Sequence, residues 1–210
     1  MADWATISSL ATAGGTLVLA VATYGAVRSS NRSARIAEQA LQEQRRPVLV
    51  HARLDDPVQK VMFASGHWIR TEGSQAAIDE DGGTIYLGLA LRNVGAGIAV
   101  LQGWYPWPDL VTGDVDHPPL EDFRRQIRDI YIAPGDIGMW QGALREANDD
   151  DIGAMAAVRA ERRPFTLDLL YSDQVGGQRT ISRFGLVPAG EDRWLGNVGR
   201  HWNLDLASPR

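Results

Sequence analysis

Two patterns of hydrophobic and polar positions divide the chain. No side chain from Trp4 to Val27 carries a charge. A helix needs about 20 predominantly apolar residues to cross ~30 Å of hydrocarbon, so residues 1–27 are expected to form a transmembrane helix. Thr6, Ser8, Ser9, Thr12, Thr16 and Thr23 dilute Leu17, Val18, Leu19 and Val21. Hydroxyls return hydrogen bonds to helix carbonyls and are cheaper in lipid than charges. The competing reading, a buried soluble helix, lacks the polar face it would need. From Arg28 to Arg46 there is no Gly or Pro, and Ala, Arg, Glu and Gln are good helix formers, so residues 28–46 read as a helical juxtamembrane stalk that Pro47 ends. Ala34, Ala37, Leu41 and Gln44 repeat at alternating spacings of three and four, a thin seam for a homodimer, beside the simpler reading of a solvated spacer.

After Pro47 the period falls to two. Val48, Val50, Ala52 and Leu54 alternate with Leu49, His51, Arg53 and Asp55, which predicts a strand with the first set buried and His51 on the solvent face. Val61 to Arg70 reads as a second strand and SQAAIDEDGG as a loop ending in a turn. Thr84 to Arg92 is the clearest strand, with Ile85, Leu87, Leu89 and Leu91 on one side. The turn cluster Asn93-Val-Gly-Ala-Gly97 hands over to another apolar strand, Ile98 to Tyr105. Pro106, Pro108, Pro118 and Pro119 mark an irregular segment, and Ile127 to Ile132 is a short strand. Asn148 to Asp151 supplies N-caps for a helix with Ile152, Met155, Ala156 and Arg159 at helical spacing. Phe165 to Tyr171 and Arg179 to Val187 form a hairpin around Ser-Asp-Gln-Val-Gly-Gly, and Trp194 to Asn203 is the last strand before a tail expected to fray. Trp194 and Trp202 share the inward parity of Val198. About eight strands with Gly/Pro turns imply a mainly β domain over 47–205, an antiparallel β-sandwich of Ig-like outline with one short helix. A sheet covered on one side by that helix is the alternative.

Composition narrows the class. The chain has 210 residues, 44% hydrophobic and 22% charged, as a folded domain does. A net charge of −5 argues against nucleic acid. The absence of cysteine excludes disulfides, thiolate metal sites and a Cys nucleophile. Arg28, Arg32 and Arg35, followed by Arg45 and Arg46, flank the apolar run on its C-terminal side only. Positive residues stay inside, which places the N-terminus outside and the domain in the cytoplasm as a single-pass protein of the plasma membrane. A signal peptide would carry its positive charge before the apolar run, and here it follows. Ala11 and Gly15 supply a small-xxx-small spacing through which the membrane helix could also pair. One lysine, Lys60, against many arginines, alanines and glycines suggests a high-GC, bacterial coding bias.

Candidate chemistry is sparse. The histidines, His51, His67, His117 and His201, fall in no H-x-x-x-H spacing, so a metal site would have to be assembled from Asp114, Asp116 and His117 in the Pro-rich loop. No G-x-S-x-G elbow and no EF-hand pattern occurs. Tryptophan is abundant. Trp104, Tyr105 and Trp107, beside prolines, are candidate binding residues because large aromatic rings grip partners, and Arg124 and Arg125 lie close enough in sequence to pair with an acidic one.

The ensemble of an apolar helix, a basic stalk ending in Arg-Arg-Pro, a strand ending in Arg-Asn-Val-Gly-x-Gly and a late Tyr-x-Asp-x-x-Gly-Gly hairpin resembles a group of uncharacterised bacterial membrane-anchored proteins frequent in actinobacteria. The resemblance implies a single-pass β-domain protein and carries no activity. The functional expectation is a membrane-tethered cytoplasmic interaction module without a cofactor, with the lipid bilayer and a protein as partners. The alternative is a membrane-bound hydrolase using a metal or a loop carboxylate.

Overall fold

The computed structural model describes residues 4–145, 150–190 and 193–205. It divides after Gln44 into two compact units. The first is one continuous helix, α1 (Trp4–Glu43). Among the described residues no helix is long and apolar enough to cross a membrane, which overturns the expected transmembrane helix. The physical reason is dilution. The dense apolar stretch runs only from Leu17 to Val27, ~16 Å at about 1.5 Å per residue, and is broken by Thr23, Tyr24 and Gly25. Arg28, Arg32 and Arg35 continue the same helix directly, so span and stalk are not separate elements. Thr16 and Thr23 return their hydroxyls to the carbonyls of Thr12 and Leu19, at 2.9 and 2.7 Å. The side chain of Ala11, half of the pairing motif, lies outside the described residues.

The second unit is mainly β. Its strands are β1 (Leu49–His51), β2 (Gln59–Met62), β3 (Trp68–Thr71), β4 (Gln75–Asp81), β5 (Thr84–Asn93), β6 (Ala99–Trp107), β7 (Arg124–Arg125), β8 (Tyr131–Ile132), β9 (Ile137–Leu144), β10 (Phe165–Ser172), β11 (Thr180–Pro188) and β12 (Trp194–Asn203). Helix α2 (Asp150–Glu161) lies between β9 and β10. Every pairing is antiparallel. The large sheet runs β1-β5-β4-β12-β11-β10-β6-β7, with β9 on the other side of β5 and β8 on β6, and β2–β3 is a separate hairpin. Leu87, Leu89 and Trp140 from one end of this order share a single core with Leu101, Leu169 and Phe184 from the other. The sheet therefore bends over its own inner face, the two-layered packing expected of a sandwich. Met155 and Val158 of α2 join that core. Asn148 and Asp149, expected as caps, and the tail 208–210 lie outside the described residues.

Several local expectations change. SQAAIDEDGG is a strand and turn, not a loop: Ala76 and Ile78 are buried in alternation, and Gly82 and Gly83, with φ of 57° and 78°, close a two-residue hairpin of the twist-matching kind. β9 carries no expectation; Gly138 and Gly142 interrupt the alternation of IGMWQGAL. Around β1 the burial does not follow one alternation: Leu49 is buried, its N–H donating to Tyr171 Oη at 3.1 Å, His51 is half-buried and accepts from Val198 N, and Ala52 is buried as expected. The strand expected over 127–132 shrinks to Tyr131–Ile132. Along β12 the pairing skips Gly199, since Arg183 faces Arg200 while Phe184 faces Val198. That bulge reverses the alternation, so Trp202 leaves the inward side on which Trp194 packs.

Candidate functional site

β6 carries the candidate aromatics, and strand alternation sends them to opposite faces. Trp104 points into the core and meets Trp140 edge-on at 5.3 Å. Gly142 makes room for this pair: a Cβ there would stand 2.6 Å from the Trp140 ring and 3.0 Å from Trp104. Tyr105 and Trp107 sit together on the outer face, their rings 5.1 Å apart. Burial, and after it the Asp151 charge, pushes the Tyr105 hydroxyl above its ordinary value. Trp107 Nε1 donates to Asp168. The five candidate residues thus do not form one surface. Trp104, Arg124 and Arg125 gather at one site, and Tyr105 and Trp107 stay behind the sheet.

That site is a pocket of about 690 Å³. It opens where β7 and its following loop approach the outer edge of β9, and hairpin β2–β3 supplies Met62 and Phe63 to its wall. The hairpin is held by Phe63 and Ile69 against Tyr86 and Met139, with Ser65 Oγ at 2.9 Å from Tyr86 Oη and His67 stacked on the Tyr86 ring. Gln126 clasps the two sides. Its Oε1 accepts from Trp140 Nε1 at 3.1 Å, its Nε2 donates to the Gln141 carbonyl at 3.1 Å, and its main-chain N–H donates to Gln102 O.

Four arginines line the opening. Arg124 donates to Asp151 at 2.6 Å and lies 5.6 Å over the Trp104 ring. Arg128 donates to the Met62 carbonyl at 3.2 Å. Among the described residues none of Arg125, Arg128 and Arg145 pairs with a carboxylate. Between two of them Ile127 is 90% exposed. Gln141, 6% exposed, also lines the pocket, and its Oε1 is buried without a hydrogen-bond partner among the described residues. Gln126, Gln141 and Arg145 were beyond sequence reasoning, because they lie on segments with no strand signal or far from Trp104 along the chain.

The Asp114, Asp116 and His117 set does not converge. Asp114 pairs with Arg200, the Asp116 carbonyl accepts from Arg183, and His117 Nδ1 lies 2.7 Å from the Pro118 carbonyl with its ring edge-on to Trp202. Among the described residues no three His, Asp or Glu side chains are placed to hold a metal ion. Ser182 and His201 are in contact, Oγ to Nδ1 at 2.7 Å, but Ser182 is fully buried and its hydroxyl is shared with Tyr171 Oη at 2.8 Å, so no nucleophile is presented.

No family model matches the chain, and no curated protein matches it.

Proposed function

We propose that the β domain is a non-enzymatic binding module whose site is this pocket and whose ligand is acidic, a carboxylate-rich segment of a partner protein. The observation that carries the reading is the set Arg125, Arg128 and Arg145, which among the described residues pair with no carboxylate, around an opening walled by Trp104 and Met62. In a chain of net charge −5 such a concentration of cations without carboxylate partners among the described residues is out of keeping with the whole. Arginine suits the task because its planar fork grips carboxylates in pairs of hydrogen bonds. Apolar walls and an exposed Ile127 add contact area, and the cationic rim steers the encounter.

The test uses a blocked hexaglutamate peptide and the full-length protein in titration calorimetry. Wild type binds, more weakly as salt rises, and the double variant Arg125→Glu/Arg128→Glu loses at least tenfold in affinity at an unchanged melting temperature. Absence of binding by wild type, or equal binding by the variant, overturns the reading.

A further inference from the structure

Among the described residues strand β9 pairs with β5 alone, and no strand covers its other edge. In an antiparallel pair alternate residues turn their N–H and C=O away from the partner. Three observations fix which residues these are. Ala90 O accepts from Ala52 N, so the even-numbered groups of β5 turn toward β1 and β4. Leu87 and Leu89, turned toward β9, face Gly142 and Trp140. The Gln141 carbonyl accepts from Gln126 Nε2, on the far side from β5. By alternation the N–H and C=O of Ala143 point outward into the pocket, and among the described residues nothing hydrogen-bonds to them. Gln141, whose buried Oε1 has no hydrogen-bond partner among the described residues, lines the same pocket.

We infer that the acidic ligand binds as an extended strand added to the outer edge of β9. Its backbone pairs with Ala143 and its carboxylates reach Arg125, Arg128 and Arg145. This rests on the proposed acidic-ligand site and specifies the mode. Main-chain pairing satisfies the open edge, while alternate side chains of an added strand all fall on one face and can meet the arginines together. Charge selects the occupant: a basic or apolar strand would bring no counter-charge to the three guanidinium groups facing it.

The experiment compares two blocked hexaglutamate peptides against the full-length protein: one unmodified and one N-methylated at all six residues. Full methylation removes every main-chain donor while keeping the charge, and lowers affinity about tenfold or more. Ala143→Pro removes the outward N–H at a position where an edge strand tolerates proline, and it weakens the unmodified peptide to a similar degree. Should that variant fail to fold, the methylated peptide alone decides. Equal binding of the two peptides overturns strand addition and leaves the acidic site standing, whereas no binding of the unmodified peptide removes both.

Discussion

At the scale of single residues the costliest side chains are Asp168 and Arg183, which are 0% and 5% exposed. Asp168 accepts from Arg183 Nε at 2.8 Å, from Nη2 at 2.7 Å and from Trp107 Nε1 at 2.9 Å. Nη1 and Nη2 also donate to the carbonyls of Val115 and Asp116, at 2.7 and 3.1 Å, and the group lies 4.7 Å over the Trp202 ring. Each guanidinium nitrogen and both carboxylate oxygens have a partner within the protein, so the role of the pair is to fasten the Pro-rich segment to the outer face of β10 and β11. Removing one partner strands the other as an uncompensated buried charge. Asp168→Ala is therefore expected to cost about 3–5 kcal/mol in urea denaturation, and Asp168→Leu/Arg183→Met to recover most of that loss. A single substitution costing less than ~1 kcal/mol would contradict the burial. This network explains why Trp107 is poorly placed to grip a partner: its polar edge is already spent on Asp168. Nothing in the sequence joins Trp107, Asp168 and Arg183, which meet only because three strands lie side by side.

At the scale of elements, what was legible was whatever carries its own period. Thr84 to Arg92, the hairpin of β10 and β11, and α2 stand where alternation or helical spacing put them. Elements that owe their form to distant neighbours were not legible. β9 holds glycines where Ile132, Trp104 and Trp140 press against its backbone, and the bulge at Gly199 is visible only in the pairing with β11. Half of the candidate site was lost with β9. The turn Asn93-Val-Gly-Ala-Gly97, by contrast, is structural as its glycines suggest. Asn93 is fully buried. Its Nδ2 donates to the carbonyls of Gly97 and Ile132, at 2.7 and 2.9 Å, and its Oδ1 accepts from Val48 N and Gly95 N. The segment entering β1 passes so close that a Cβ on Gly97 would collide with the Arg45 carbonyl. Backbone cannot swing aside as a side chain can, so Gly97→Ala is expected to destabilise by about 1–3 kcal/mol without altering peptide binding at the β9 edge. Thermal denaturation and the hexaglutamate titration together check both halves of that statement.

At the scale of the whole domain, charge pairs tie its irregular ends to the sheet, and their response to pH follows from linkage. Asp56 accepts from Arg92 Nη2 at 2.6 Å and from Arg53 N at 2.7 Å, securing the segment after β1. The hydrogen bond from Arg92 is the main reason its carboxyl lies below the ordinary value of 3.8. Asp205, past the end of β12, is held down chiefly by Arg179. In both cases the unfolded chain takes up the proton at a higher pH than the folded one. Their stabilisation is complete above about pH 5 and is lost as pH falls through the folded values. Asp56→Asn is thus less stable than wild type at pH 7, and the two converge toward pH 2. Asp205→Asn shows a smaller gap, because that pair is a third or more exposed and screened by water. His201 adds a separate step. Its Nδ1 is turned onto Ser182, and desolvation lowers its affinity for a proton. As pH drops below about 6.5 the unfolded histidine charges first, so stability declines there. Denaturation midpoints measured from pH 7 to pH 2 should show that early decline in wild type and not in His201→Gln. If the Asp56→Asn curve instead runs parallel to wild type throughout, the pair with Arg92 does not form in solution, and the segment between β1 and β2 is held by something else.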